Sequence, residues 1–325
     1  MIRTIQSSIP SIRSGTIKRQ ALVFSTFVKA FGKSLISGMP REELPPGHMQ
    51  LWGQNVHLYL EPDICLALHG LYGHLVVKDP ARPLALDAKG DYDLHVRGGS
   101  LSLDEESLEN LINRYAIQGS MIERIQLSIE DGLIRMTAKV RLHGIAFPVS
   151  LDCEVSLTRE GLIQLAPQHL SSPNVLVGGF MRFFPVSLEK TLVMPKGSAL
   201  SLSGNLLRVD PGKIVPAPRV FGRLKKIKLE GKHLHLCYEG TPPDAPLLHP
   251  TERYLLCLGH ELELGKLLLR DTRLQVIGLK EEDALDFSLT GYREQLAQGC
   301  AQLGVDGEIL ASIPNLHKIL QSPEN

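Results

Sequence analysis

Two rows of ionisable side chains have the spacing that would place each row on one face of a β-strand. His233 and His235 stand two positions apart, so their imidazoles would share a face and could supply half of a metal site. Asp91, Asp93 and His95 form a similar row, which could pair carboxylates for acid–base catalysis. Both rows also fit a solvent-exposed strand face, and we favour that interpretation because apolar residues alternate with the histidines.

The sequence lacks the short motifs of the common nucleotide-binding and hydrolytic enzymes. It contains no GxxxxGK[ST] or GxGxxG phosphate-binding loop, no GxSxG nucleophile elbow and no HExxH zinc motif. The five cysteines are scattered and form no CxxC pair. We therefore expect a protein that is not an enzyme and uses no metal and no cofactor. A hydrolase built on the aspartates of the second row is the remaining enzyme hypothesis.

A basic segment is the first candidate for a binding surface. Within one predicted hairpin, Arg223, Lys225, Lys226 and Lys228 could contact a phosphate headgroup. The alternative is that the lysines protect an exposed sheet edge from unwanted pairing. Nucleic acid is not expected as a partner, because the chain has 35 basic and 35 acidic residues and no aromatic residues interleave with the lysines to stack bases.

Three phenylalanines within five residues form the second candidate. Phe180, Phe183 and Phe184 could be an apolar contact site for lipid or for a protein partner, since clustered exposed aromatic residues often mark such sites. A buried short helix is the alternative.

The elements that would position these residues are mostly strands. Residues 122–167 alternate between apolar and polar types in blocks separated by turn residues, of which Asp131-Gly132 is typical of a hairpin. This pattern predicts a four-stranded meander with one apolar face. A second hairpin is predicted at residues 220–238, and a further β region at residues 254–277.

Helices are fewer and short. Asp104 is a favourable N-cap residue, and apolar residues then recur at helical spacing from Leu108 to Tyr115. Another short helix is predicted before Gly299. These elements predict an α+β protein with an elongated, mainly antiparallel and curved β-sheet, arranged as meanders with a few short helices.

Leucine dominates the composition, with 55 of 325 residues, whereas aromatic residues make up 5%. The interior should therefore be aliphatic, and it could either line a cavity for acyl chains or form an ordinary packed core. If a cavity exists, we expect the apolar faces of the meander and of the later β region to line it. These candidate ligand contacts are Leu127, Ile129, Ile134, Met136, Phe147, Val149, Leu151, Leu262 and Leu264.

The first part of the chain differs from the rest. Residues 1–48 are basic, and the first acidic residue is Glu42. The apolar stretch Ala21 to Val28 could belong to a degenerate export signal or to a segment on a membrane surface, and a basic tail is the alternative. We expect residues 49–325 to form a single domain with a possible joint at residues 210–218. The cell envelope or a membrane surface is the favoured location.

The order of motifs resembles a family of uncharacterised bacterial proteins. The resemblance is carried by Leu108-Glu-Asn-Leu-Ile-Asn-Arg-Tyr115, by Leu157-Thr-Arg-Glu-Gly-Leu-Ile-Gln-Leu165, by residues 204–219, and by Asp286-Phe-Ser-Leu-Thr-Gly-Tyr-Arg-Glu-Gln-Leu296. The meander is more distantly similar to that of the LmeA-like phospholipid-binding proteins, which are related to the tubular lipid-binding folds. This resemblance implies curved sheets that wrap around helices and hold acyl chains without catalytic residues.

Two functional hypotheses follow from these observations. The first is non-enzymatic binding of a phospholipid or another amphiphile at a membrane surface or in the cell envelope. The second is a structural or assembly module that binds another protein through a sheet edge and residues 180–184.

Overall fold

The computed structural model describes residues 3–4, 44–142, 145–171, 199–280, 283–304 and 307–316. The protein is α+β and consists mostly of antiparallel, curved β-sheet with a few short helices, which confirms the predicted fold class. The chain forms two compact units. The first comprises residues 1–59, 68–95 and 242–325, and the second comprises residues 60–67 and 96–241.

The described strands are numbered in chain order. They are β1 (Arg3–Thr4), β2 (His48–Gln54), β3 (Val56–Glu61), β4 (Ile64–Val77), β5 (Leu84–Ala85), β6 (Tyr92–Asp104), β7 (Ile122–Glu130), β8 (Leu133–Leu142), β9 (Ile145–Leu157), β10 (Ile163–Ser171), β11 (Leu200–Ser203), β12 (Leu206–Val209), β13 (Arg219–Phe221), β14 (Leu224–Glu230), β15 (His233–Tyr238), β16 (Tyr254–Gly259), β17 (Leu262–Leu264), β18 (Leu267–Leu269), β19 (Thr272–Gly278), β20 (Leu285–Ser288), β21 (Cys300–Leu303) and β22 (Ile309–Ile313). Three of the four chain boundaries between the units fall inside β3, β4 and β6, and the fourth lies between β15 and β16.

The helices are short, as the sequence predicts. They are α1 (Glu105–Leu111), α2 (Pro211–Ile214) and α3 (Tyr292–Gln298). Asp104 caps α1 by accepting a hydrogen bond from the Ser107 amide. A π-helical turn, Ile112–Ala116, continues α1, and a 3-10 turn, Lys89–Asp91, precedes β6. None of the described helices is long and apolar enough to span a bilayer.

The first unit is built on a sheet in which β22, β19, β16, β2 and β4 are successive neighbours. Pairing is antiparallel except between β19 and β22. β20 pairs in parallel with β3, and α3 packs beside β22. Met49, Leu256 and Ile313 are almost completely buried, so this unit has its own apolar core.

The second unit contains the predicted meander. Strands β7 to β10 are antiparallel neighbours, and β12 and β11 extend them to a six-stranded sheet. Asp131 and Gly132 both have positive φ angles, which is the geometry of a type I′ hairpin turn. β6, β15 and β14 form the other strand layer of this unit. Residues 210–218, where a joint was predicted, lie within the second unit.

Candidate functional site

The second unit contains an apolar cavity of about 70 Å³. Twenty of the described residues line it, and all of these are aliphatic or proline except Tyr238. The six-stranded sheet contributes Leu127, Ile134, Met136, Val155, Ile163, Leu165 and Val209. Strand alternation explains this wall, because directly paired residues such as Leu127 and Met136 project from the same face of the sheet.

The opposite wall comes from β6 and β15. Leu103 pairs with Leu234, and Leu101 pairs with Leu236, so four leucines face the cavity in two cross-strand pairs. Pro211, Ile214, Val215 and Val220 close it near α2 and β13, and Leu66 of β4 completes the lining of this layer. The cavity therefore lies between two strand layers whose apolar faces are turned toward each other.

Helix α1 forms a third wall, with Leu108, Leu111 and Ile112 facing the cavity. A second face of α1 provides hydrogen-bond partners for backbone groups at the free edge of β7. The amide of Ile129 donates to Glu105 Oε1 at 2.7 Å, and that of Leu127 donates to Glu109 Oε2 at 3.0 Å. The side-chain amide of Asn113 accepts from Ile125 N at 2.8 Å and donates to Ile125 O at 2.7 Å.

The spacing of these hydrogen bonds along β7 has a geometric cause. Residues four apart in an α-helix are separated by about 6 Å along its axis, and residues two apart in a strand are separated by about 6.6 Å. Glu105, Glu109 and Asn113 can therefore meet alternate residues of β7. The three side chains take the place of a neighbouring strand.

A further face of α1 is fixed to the segment at the start of β4. Ser107 Oγ accepts a hydrogen bond from the Cys65 amide at 3.0 Å, and Asn110 Nδ2 donates to Asp63 O at 3.1 Å. The guanidinium of Arg114 forms an ion pair with Asp63. The helix is thus hydrogen-bonded on two sides, and only its remaining apolar face meets the cavity.

Tyr238 carries the only hydroxyl, amide or charged side chain among the lining residues that the structure describes. Its side chain is buried, and this burial raises the pKa of the phenol to about 12, so the phenol is protonated at neutral pH. Gly222 lies directly against the ring. A Cβ atom at position 222 would be 2.7 Å from Tyr238 Cδ1, so any larger residue would displace the aromatic ring.

The structure brings together some of the predicted ligand contacts. Leu127, Ile134 and Met136 line the cavity. Three others lie on strands of the same sheet but do not line the cavity: Ile129, Val149 and Leu151.

The remaining predicted contacts either have side chains outside the described structure or belong to the first unit. Phe147 belongs to β9, but its side chain is outside the described part of the structure. Phe180, Phe183 and Phe184 also fall outside the described residues. Leu262 and Leu264 belong to the first unit.

The predicted headgroup residues lie on or next to β14, and all four are exposed. Arg223 pairs with Glu239 and Lys228 with Glu230, whereas Lys225 and Lys226 have no ion pair within the described ranges. Lys226 is paired with Cys237 and Lys228 with His235, and these two positions alternate with the cavity-facing leucines of β15. Both lysines therefore project from the face of the hairpin that points away from the cavity.

The two ionisable rows lie in different units of the protein. His233 and His235 lie with their ring centroids 6.0 Å apart on the outer face of β15. Asp93 lies 3.9 Å from Lys78 Nζ, and Asp91, Asp93 and His95 all belong to the first unit. Within residues that the structure describes, no three His, Cys, Asp or Glu side chains gather in a geometry suited to a metal ion.

The sequence interpretation missed the contributions of α1, β6 and β15 to the cavity. Their apolar periodicity was recognised, but it does not indicate which faces meet. The spacing of Glu105, Glu109 and Asn113 was a usable signal, because polar residues at positions i, i+4 and i+8 share a helix face. Comparisons with models of protein families, with curated proteins and with solved structures find no match to this chain.

Proposed function

We propose that this protein binds a phospholipid or a similar amphiphile without catalysis, and that the end of an apolar chain occupies the cavity of the second unit. The observation that carries the proposal is the composition of the lining, in which nineteen of twenty residues are aliphatic or proline. Such a surface favours a methylene chain, with about 0.8 kcal/mol gained for each buried methylene before the costs of binding.

The size of the cavity limits what can enter without rearrangement. Its volume of about 70 Å³ is roughly half that of an engineered 150 Å³ apolar cavity that binds benzene. A space of this volume has room for the end of one alkyl chain. A longer segment requires the walls to separate, and α1 is the wall held by side-chain hydrogen bonds rather than by strand pairing.

The chemistry of the lining supports binding rather than catalysis. No carboxylate, imidazole or thiol belongs to the lining residues within the described part of the chain. The polar part of a ligand would find only the Tyr238 phenol inside, so it must remain at the surface of the protein. The alternative assembly function stays a prediction, because residues 180–184 lie outside the described chain.

A pair of matched substitutions tests the proposal. Val155 and Val149 lie on the same strand, at positions of equal parity, and both are half-buried, but only Val155 lines the cavity. Val155→Phe should fill the cavity and weaken binding of the fluorescent probe N-phenyl-1-naphthylamine by about tenfold or more, which corresponds to about 1.4 kcal/mol. Val149→Phe adds the same volume and should leave the affinity nearly unchanged.

Native mass spectrometry of protein purified without detergent supplies the second measurement. Wild-type protein should carry a co-purified lipid that the Val155→Phe variant lacks. Equal probe affinity in both variants, together with a homogeneous ligand-free mass of the wild type, would rule out the cavity as the binding site.

A further inference from the structure

The exposed surface formed by β13, β14 and the residues between them differs from the rest of the chain in charge. Residues 211–229 contain six basic residues and no acidic residue, although the whole chain has a formal net charge of zero. Three of the six have acidic partners: Lys213 with Asp210, Arg223 with Glu239, and Lys228 with Glu230. Arg219, Lys225 and Lys226 take part in no ion pair in the parts of the chain that are described.

An exposed aromatic side chain lies within this basic surface. Val220, at the centre of β13, is buried and lines the cavity, so its neighbours Arg219 and Phe221 project outward. Phe221 is 39% exposed, which places it among the large apolar side chains that the described structure leaves open to solvent. A single residue, Val220, therefore separates the exposed pair from the cavity.

We infer that this surface, formed by Arg219, Phe221, Arg223, Lys225, Lys226 and Lys228, docks the protein on an anionic lipid bilayer. Basic residues near an anionic membrane gain electrostatic energy, and an aromatic side chain can enter the interface between headgroups and acyl chains. The inference rests on the proposed function and adds its partner, since an amphiphile that enters the cavity must leave a bilayer nearby.

The direction of the lysines distinguishes two kinds of lipid contact. Lys226 and Lys228 point away from the cavity, so they are placed to meet lipids of the bilayer surface rather than the headgroup of a molecule bound inside. Arg219 and Phe221 are the direct neighbours of Val220, which lines the cavity, so the surface that contacts the bilayer adjoins one wall of the cavity. The same surface would thus hold the membrane and orient the cavity toward it.

Vesicle co-sedimentation of the full chain tests this inference. The protein should sediment with vesicles of equal parts phosphatidylcholine and phosphatidylglycerol but not with pure phosphatidylcholine vesicles, and added salt should release it. Lys225→Glu/Lys226→Glu should lower the partition coefficient by more than about 30-fold, and Phe221→Ser should lower it about tenfold. The control Lys139→Glu/Lys266→Glu makes the same change in charge at two exposed lysines elsewhere and should have little effect.

Probe binding without vesicles separates this inference from the proposed function. Lys225→Glu/Lys226→Glu should bind N-phenyl-1-naphthylamine normally, whereas Val155→Phe should lose the probe and still sediment with anionic vesicles. Failure of wild-type protein to sediment with anionic vesicles would overturn the docking inference alone, whatever the probe shows. Equal losses of vesicle binding in Lys225→Glu/Lys226→Glu and in the control Lys139→Glu/Lys266→Glu would also overturn it. Binding to soluble polyglutamate but not to vesicles would assign the surface to an acidic protein instead.

Discussion

Each unit contains a strand edge that is completed by side chains of a helix, but the two helices do this differently. In the first unit, Gln295 of α3 is fully buried. Its amide oxygen accepts from Ser288 N at 2.9 Å, and its nitrogen donates to Asp286 O at 2.8 Å and to Pro314 O at 3.2 Å. In the second unit, Glu105, Glu109 and Asn113 complete β7, and all three are half-buried.

The difference in exposure has consequences for motion. If Gln295 moved away, the buried backbone groups that it binds would be left without a hydrogen-bond partner. We therefore expect α3 to stay fixed in place. Water can replace Glu105 or Glu109 at the partly exposed edge of β7, so the cost of separating α1 from β7 is lower. The arrangement that is costlier to open lies in a packed core, and the one that is less costly to open lies beside the cavity.

The largest effect in this comparison should come from Gln295→Leu. Two buried backbone groups and one partly buried carbonyl would lose their partner, and the free energy of unfolding should fall by about 4 kcal/mol. Urea denaturation measures the loss. Gln298→Leu is the matched control, because Gln298 lies on the same helix but is exposed, and it should change stability by less than about 0.5 kcal/mol. A loss below about 1 kcal/mol for Gln295→Leu would show that its hydrogen bonds are dispensable.

The next largest effect concerns Leu111→Ala beside the cavity and Leu256→Ala in the core of the first unit. Both leucines are essentially inaccessible to solvent, so each variant should lose about 3 kcal/mol. Leu111→Ala also enlarges an existing space, and 1-octanol should therefore restore more stability to it than to Leu256→Ala. Thermal unfolding with and without octanol gives the comparison. Equal recovery in both variants would contradict a special role for the cavity.

A smaller effect is expected for Glu109→Leu. The Leu127 amide would lose its carboxylate partner at a half-exposed edge, and stability should fall by about 2 kcal/mol. Hydrogen exchange at Leu127 should accelerate, and probe binding should become faster because α1 separates more readily. Glu106→Leu is the control on the exposed side of the same helix. Unchanged exchange at Leu127 would show that α1 is held by its other contacts.

The smallest effect depends on pH. Burial raises the pKa of Tyr238 from 10.0 to about 12, so the phenol ionises first in the unfolded chain. Its contribution to stability is complete below pH 10 and is lost as the pH rises through about 12. Wild-type protein should therefore lose on the order of 1 kcal/mol more than Tyr238→Phe between pH 8 and pH 11. Denaturation curves that stay parallel for the two proteins would indicate that Tyr238 is in contact with water.

The predicted elements were confirmed where the pattern is local. The Asp131-Gly132 turn, the strands of the meander and the Asp104 cap each depend on neighbouring residues, so periodicity and turn chemistry were sufficient. The Leu267–Leu269 strand shows the limit of this approach. Its apolar run is typical of a strand buried on both faces, yet Leu268 is 42% exposed, because its side chain projects to the face opposite that of the buried Leu269 and that face is open to solvent in the described structure.

The lining of the cavity was only partly predictable, because a local pattern does not show which distant segments lie opposite each other. The sequence identified Leu127, Ile134 and Met136 because they share the apolar face of a meander. It could not indicate that leucines of β6 and β15 lie opposite them, since those residues are distant in the chain. It also could not separate Leu262 and Leu264 from this set, because alternation is equally clear in both units.

The sequence by itself determined the strands of the meander, the Asp131-Gly132 turn, helix α1 and the side of each of these strands and of α1 that is apolar. These properties follow from steric preferences and from periods of two or 3.6 residues, which act within a few positions. Only the tertiary structure decided that α1 completes the edge of β7 and that three apolar faces leave a space between them. Such a space depends on how side-chain volumes from distant segments fit together, and no local pattern records that fit.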